Sequence, residues 1–473
     1  MSLNRRSFIK STVEGVAGIT LTGGGIKSAI AKPVQSGFVW TDKMPVNPDI
    51  DNMRVICMHD PKMAGTPTGS SFSAQNSVVD DQRIRENMDK MAMHLTGRAT
   101  ADEAWKTIFR SAKPWKDTKV FIKLNCVESK MLARVSVIKK IVDVLIDFGV
   151  QPANIVMFDG QGMSWKTYQS SVSLTDSKKI RAVLSNNYSA VGGQTDVKIP
   201  EISAGFAPGD LVKGATDIIV NIAVNKGHNS PTFNVGMTTL CLKNHFGTFL
   251  SSGSGGGMYG GTLMAMHLHS TKGLININKI PEIVGGNPVR QQLCIIDSLW
   301  AMKDGPSGSV DSKPDRLIMG TFAGAVDYCC VKEIREKLMG VTNHQKQVIP
   351  QFLTAFGYQE TDPEWVEMTP DTVSIRKVNA HPSTDDITFT LTGSSMRKST
   401  LHFSLPRGNS ESLRVRIVDM KGRMVREIKG KPGAQSLHWD GCTASGNMVS
   451  PGSYAVSLFA GSFTETLRLT VVQ

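Results

Sequence analysis

The 473-residue chain has seven cysteines, at 57, 126, 241, 294, 329, 330 and 442, but no C-x-x-C. That lack excludes a zinc ribbon and a ferredoxin-type iron–sulfur site. Cys57, Cys126 and Cys294 sit in apolar strand-like runs, where cysteine behaves as a small core residue. Beyond the N-terminal segment no run of 18 apolar residues occurs, so no membrane span is expected. The one Gly-x-Gly after a strand, Gly160-Gln161-Gly162, has no third glycine and no helix start, which argues against a dinucleotide fingerprint. The glycine-rich stretch 251–261 (SSGSGGGMYGG) lacks the Gly-Lys-Ser/Thr ending of a phosphate-binding loop and reads as a loop or as a lid. No basic stripe is interleaved with aromatics, so nucleic acid is not an expected partner.

What is there is an ordinary globular composition, 40% apolar and 20% charged, with a net charge of +12. Residues 1–31 hold Arg5, Arg6, Lys10 and Lys27 against Glu14, so +9 of that belongs to the rest of the chain. A basic balance of this size suits acidic small molecules as partners. Asn4-Arg5-Arg6-Ser7-Phe8-Ile9-Lys10, a weak apolar stretch and Ala29-Ile30-Ala31 read as a basic start, a core and a cleavage site. The paired arginines before Phe8-Ile9-Lys10 resemble a twin-arginine export signal. The resemblance implies the twin-arginine export machinery as a partner, a periplasmic or extracellular location, and no permanent membrane anchor after cleavage.

Residues 32–50, with Pro33, Pro45 and Pro48, read as a linker or arm. Apolar runs at 53–58, 119–125, 154–159, 218–220, 292–297 and 316–320 read as strands, and 78–95, 135–148 and 327–339 as helices. The unit from Lys119 to Asp159 is a βαβ pattern, which implies parallel strands. The expected fold is therefore an α/β domain over 51–360 with a mainly parallel sheet. After a linker at 361–385, seven short alternating strands with turns at Lys421-Gly422 and Pro451-Gly452 form a small all-β immunoglobulin-like sandwich over 386–473.

Ligands of open α/β sheets bind beyond the carboxyl ends of the strands. The richest stretch is Asp217 to Phe246, which places Asn225, Lys226 and His228 just past an apolar strand and ends in Lys243-Asn244-His245. Asn125, Asp159 and Asp297 end other strands, and Asp304 follows in the loop 302–308. Lys226, His228, Lys243 and His245 are the expected catalytic residues. Asn125, Asp159, Asn244 and Asp304 are the expected substrate contacts. Histidine with aspartate suits a divalent metal or proton transfer, and the expected ligands are His228, His245, His267, His269 and Asp297. Lysines beside histidines neutralise a carboxylate or phosphate, or depress a neighbour's pKa. In the competing reading His228 and His245 cap element ends and the lysines are solvated.

The pieces KLN (123–125), Asp159-Gly160, NKGH (225–228), LKNHFG (242–247), His267/His269 and IIDSLWAMKDGPSG (295–308) resemble the bacterial domain-of-unknown-function family 362. That family has no secure general activity. Some members carry ferredoxin-type iron–sulfur cysteines beside the domain, and this sequence has none, so the cofactor is left unknown. VDMKGRMVREI (418–428) and LHWDGCTASGNMVSPGSYAVSLFAG (437–461) look like the immunoglobulin-like domain of flagellar hook-capping proteins, with Trp439 as a buried anchor and Gly441 and Gly446 in turns. Two functions follow. One is an exported enzyme, metal-assisted or not, acting on an anionic small molecule through the Lys/His/Asp cleft. The other is a non-catalytic periplasmic or cell-surface binding protein with a C-terminal attachment module.

Overall fold

The structure, a computed structural model, describes residues 47–160, 181–183, 188–197, 199, 205–228, 237–251, 270–305, 307–341 and 353–370. In the C-terminal part it describes 388–395, 398–404, 413–419, 422–430, 436–450, 452–460 and 463–471. The expected export signal, most of the arm, residues 252–261 of the glycine-rich stretch, His267 and His269 lie outside the described residues.

The strands in chain order are β1 (Arg54–His59), β2 (Val120–Lys123), β3 (Ile155–Phe158), β4 (Arg181–Val183), β5 (Gln194–Val197), β6 (Gly205–Pro208), β7 (Ile218–His228), β8 (Met237–Thr239), β9 (Leu250–Ser251), β10 (Gln291–Met302), β11 (Arg316–Gly320) and β12 (Glu364–Met368). The central sheet runs β12-β1-β11-β10-β7-β2-β3-β4, with β8 paired antiparallel to β7. β10, β7, β2, β3 and β4 are mutually parallel, and β12 lies parallel to β1. β11 is antiparallel to both of its neighbours. β5, β6 and β9 form a small antiparallel sheet.

Both faces of the central sheet are covered. One buries Val120, Ile122, Ile218, Val220 and Leu293 under the helices Asp81–Thr96, Ala101–Ile108 and Val135–Asp147. The other buries Phe121, Ile219, Ala223 and Cys294 under Cys241–Asn244, Pro281–Val284 and Ala323–Cys329. Burial on two faces explains why β7 and β10 read as apolar runs rather than alternating ones.

Three expectations change. Asn225, Lys226 and His228 do not follow a strand: β7 continues through them to residue 228, held by β10 on one side and β8 on the other. The sheet does not end at 360: Glu364–Met368, read as linker, is an edge strand beside β1. The helix expected at 327–339 begins at Ala323 and passes into a π-helical turn at Cys330–Glu336.

The C-terminal strands are β13 (Thr388–Ser395), β14 (Lys398–Ser404), β15 (Leu413–Asp419), β16 (Met424–Gly430), β17 (Ser436–Trp439), β18 (Gly452–Ala460) and β19 (Phe463–Val471). They form antiparallel sheets β13-β14-β17 and β16-β15-β18-β19. Trp439 is buried, donates from Nε1 to the Cys442 carbonyl at 2.9 Å and meets the Tyr454 ring edge-on. Gly441 and Gly446 have φ of 76° and 84°, the left-handed turn conformation that favours glycine.

Candidate functional site: a buried lysine cluster at the carboxyl ends of β2, β3 and β7

Parallel strands end on one edge of the sheet, so β2, β3 and β7 deliver their last residues to one place. Lys123 is the last residue of β2 and is fully buried. Its Nζ donates to the Leu124 carbonyl at 2.5 Å, to Asp159 Oδ1 at 3.2 Å and to Asn244 Oδ1 at 3.2 Å. Asp159, just past β3, accepts the Cys126 backbone N–H on Oδ2 at 2.6 Å. The Lys123–Asp159 pair is thus buried but satisfied on both sides. Burial pulls the Lys123 pKa below the usual lysine value, against the opposing pull of Asp159.

The turn His245–Thr248 closes over this pair. Gly160 N–H donates to the Gly247 carbonyl at 2.6 Å. A Cβ on Gly247 would collide with Asp159 Oδ1 and stand 2.9 Å from Lys123 Nζ, so only glycine fits.

Asn244 links the pair to an amide network. Its Nδ2 donates to Asn221 Oδ1 at 2.9 Å, and Asn221 Nδ2 donates to Gln291 Oε1 at 3.2 Å. His245 ends the chain, with Nε2 2.7 Å from Gln291 Oε1 and Nδ1 3.1 Å from Thr248 Oγ1. Because Gln291 Oε1 can only accept, we assign the proton to Nε2, which leaves Nδ1 to accept from the Thr248 hydroxyl. Burial lowers the His245 pKa to about 4, so the ring is neutral.

Lys226 is different. It lies near the end of β7 with no exposed surface, and among the described residues its Nζ has no hydrogen-bond partner. Burial lowers its pKa to about 8, opposed by the charges of Asp159 and Glu128. Thr239 is its direct cross-strand partner in β8, and Thr239 Oγ1 is likewise buried without a partner among the described residues. Asn125 Oδ1 is a third such atom. Lys243 is 5% exposed, its Nζ is 5.2 Å from the Phe246 ring centroid, and burial followed by the Lys226 charge holds its pKa well below the usual value. His228, at the tip of β7, is 6% exposed.

The end of β7 is locked from behind. A Cβ on Gly227 would collide with the Lys303 carbonyl and stand 2.9 Å from Asp304 Cα, so the 303–305 backbone packs directly on the strand. Buried Arg335, on the π-helical turn, donates to Asn225 Oδ1 at 2.6 Å and to the carbonyls of Met302 and Lys303 at 3.1 and 2.7 Å. Asp304 itself is exposed on that loop.

The sequence-expected residues therefore divide. Asn125, Asp159, Asn244, Lys226 and Lys243 meet around the β2, β3 and β7 ends, and His245 is the neutral far end of the same amide network. Asp297 belongs elsewhere. It accepts the Arg134 backbone N–H at 2.6 Å, and its Oδ2 lies 3.6 Å from Arg134 Nε. The Arg134 guanidinium packs between the rings of Phe72 and Trp300, on the opposite face of the sheet from His245. With both His245 ring nitrogens engaged and Asp297 held by Arg134, these residues do not fit one metal together with His228. Among the described residues no three His, Cys, Asp or Glu side chains form a metal-ligating group. Sequence reasoning did not single out Lys123, Cys126, Glu128, Thr239 or Asn221 as site residues. The one signal was Lys123 as an isolated lysine in an apolar strand, within the KLN piece.

A search of curated proteins finds no match. Among solved structures the chain is similar to PorZ, a bacterial surface component of the type-IX secretion system of Porphyromonas gingivalis, at 25% identity over 16% of this chain and 9% of that one, with a TM-score of 0.13. It is also similar to the FN3 domain of human collagen XX, at 17% identity over 20% of this chain and all of that one, with a TM-score of 0.16. The chain thus spans less than a tenth of the PorZ chain it matches. Residues 120–332 match the domain of unknown function DUF362, a span that opens with β2 and contains every member of the lysine cluster. Residues 385–462 match the FlgD Ig-like domain, so the chain carries a DUF362 domain followed by a FlgD Ig-like domain.

Proposed function

We propose that the carboxyl edge of the central sheet binds a small anionic molecule, a carboxylate or a phosphate, with Lys226 and Lys243 balancing its charge. The observation that carries this reading is Lys226 Nζ, buried with no hydrogen-bond partner among the described residues. The cluster holds three buried lysines and one fully buried carboxylate, and that carboxylate is already shared by Lys123 and the Cys126 backbone N–H. A buried ammonium without a counter-ion is costly, and an anionic ligand supplies one. Titration calorimetry of the full-length protein with phosphate, acetate and small dicarboxylates tests the idea. Binding should weaken at least tenfold in Lys226→Met; equal affinity in the variant sinks the assignment.

The metal-assisted form of the reaction draws on His228 with His267 and His269. Metal content of protein from its native host should then fall on His228→Ala, and no change would remove the metal from the reading. Export by the twin-arginine route rests on Arg5-Arg6. Arg5→Lys with Arg6→Lys should retain the protein in the cytoplasm, and normal export of that variant would contradict the route. In a non-catalytic form, the same anion site serves a binding protein attached through its FlgD Ig-like domain.

A further inference from the structure

We infer that Lys226 Nζ condenses with the carbonyl of a small oxo-acid to form an imine, while Lys243 holds the ligand's carboxylate. This deepens the anion-binding reading and rests on it.

The two buried lysines at the strand ends contrast. Lys123 is tied to three oxygens, which suits a fixed structural cation. Among the described residues Lys226 is tied to none, so once deprotonated its nitrogen lone pair is available. Its backbone is fixed by β10 on one side and by β8 on the other, so the amine sits on a rigid element. Across the β7–β8 pair, Thr239 stands directly opposite, and such neighbours hold their Cβ atoms about 4.5–5.5 Å apart. The Thr239 hydroxyl also has no partner among the described residues. A hydroxyl in that place can hydrogen-bond the carbinolamine oxygen as it forms. Burial excludes water and Lys123 adds like charge; both favour the neutral amine against the pull of Asp159 and Glu128, consistent with a pKa of about 8. An amine beside a second lysine fits a ligand with two functions, its carbonyl for Lys226 and its carboxylate for Lys243.

The step balances without an oxidant or reductant. The neutral amine attacks the carbonyl carbon, forming the C–N bond as the carbonyl π electrons move to oxygen. Both amine protons end on that oxygen, which leaves as water, and the C=N bond replaces the C=O bond. A proton taken up by the imine nitrogen gives the iminium, which withdraws electrons from the neighbouring carbon.

The test treats full-length protein with pyruvate or acetoacetate in the presence of cyanoborohydride and maps the reduced adduct by peptide mass spectrometry. The adduct is expected on Lys226 in preference to the exposed lysines, at a rate that rises as the pH passes about 8. Lys226→Arg keeps the charge but cannot form an imine. It should lose the adduct, with a circular dichroism melt showing that it is folded. If the larger guanidinium unfolds the protein, excess acetate on the unsubstituted chain replaces it and should suppress the Lys226 adduct; an undiminished adduct overturns the proposal. Labelling spread evenly over surface lysines, with acetate binding intact, overturns the imine and leaves the anion site standing. Absence of any anion binding overturns both.

Discussion

A lysine ammonium buried with no partner among the described residues loses its hydration shell, and the lowered Lys226 pKa expresses the cost. Its lysine pKa of 10.5 falls to about 8 in the folded state. At about 1.4 kcal/mol per pKa unit, the charged form costs the fold roughly 3 kcal/mol at neutral pH. The sign follows from proton counting. Between about pH 8 and 10.5 the unfolded chain holds a proton that the folded chain has released, so stability rises with pH across that window. Lys226→Met removes the charge at nearly constant volume and should stabilise the protein by about 2–3 kcal/mol at pH 7, with the gain shrinking above pH 8. Urea unfolding at pH 7 and pH 9.5 checks both the size and the trend. A destabilised variant at pH 7 would show that the amine is held by a favourable interaction. A stabilising change that abolishes anion binding is the pattern of a residue kept for its chemistry.

At the scale of elements, the site depends on how three strand ends are brought to one turn. β2 and β3 are parallel neighbours, and the turn His245–Thr248 closes over both through Gly247. Gly247→Ala should therefore separate Lys123 from Asp159 and leave a buried charge poorly paired. Breaking a buried pair costs on the order of 3–5 kcal/mol. A drop in melting temperature of several degrees, with weakened anion binding, is the expected result; an unchanged melting curve would mean the turn can retreat freely. The separate elements were legible from sequence, because β2, β3 and the helix between them carry clear apolar periodicity. The extension of β7 was not. Asn225, Lys226 and His228 are residue types that rarely sit fully buried, so they read as a loop. They are buried because β8 covers one side and β10 the other, and β10 does so only by bulging between Asp297 and Ala301. Arg335 reaches Asn225 from a π-helical turn 110 residues along the chain. No local pattern carries such long-range pairing. Asp297 shows the reverse case: a strand-end aspartate looked like a ligand, but it holds the backbone N–H and guanidinium of Arg134 at the start of the helix Val135–Asp147.

Over the whole molecule, the two modules differ in how their strands pair. Among the described residues every strand of the central sheet lies between Arg54 and Met368, and the strands from β13 onward pair only with one another. The change to alternating apolar residues after 386 made that division legible. The strand β12 was missed because two of the five residues of Glu364–Met368 are glutamates, as suits an edge strand. It contributes a full parallel register to β1, from Arg54↔Glu364 to Met58↔Met368, so a chain cut at 360 would strip the sheet edge. A chain ending at residue 380 keeps that edge and all members of the lysine cluster. It should stay soluble and bind small anions within about twofold of the full chain, since the described hydrogen bonds of Lys123 and the Cys126–Asp159 bond join residues 123 to 244. A chain ending at 360 should melt lower, because unpairing an edge strand exposes β1 backbone groups and apolar side chains such as Val55 and Met58. Circular dichroism melts and calorimetry on the two truncations separate these outcomes. Loss of binding at 380 would tie the FlgD Ig-like domain to the site itself, whereas loss only at 360 confines the chemistry to the DUF362 sheet.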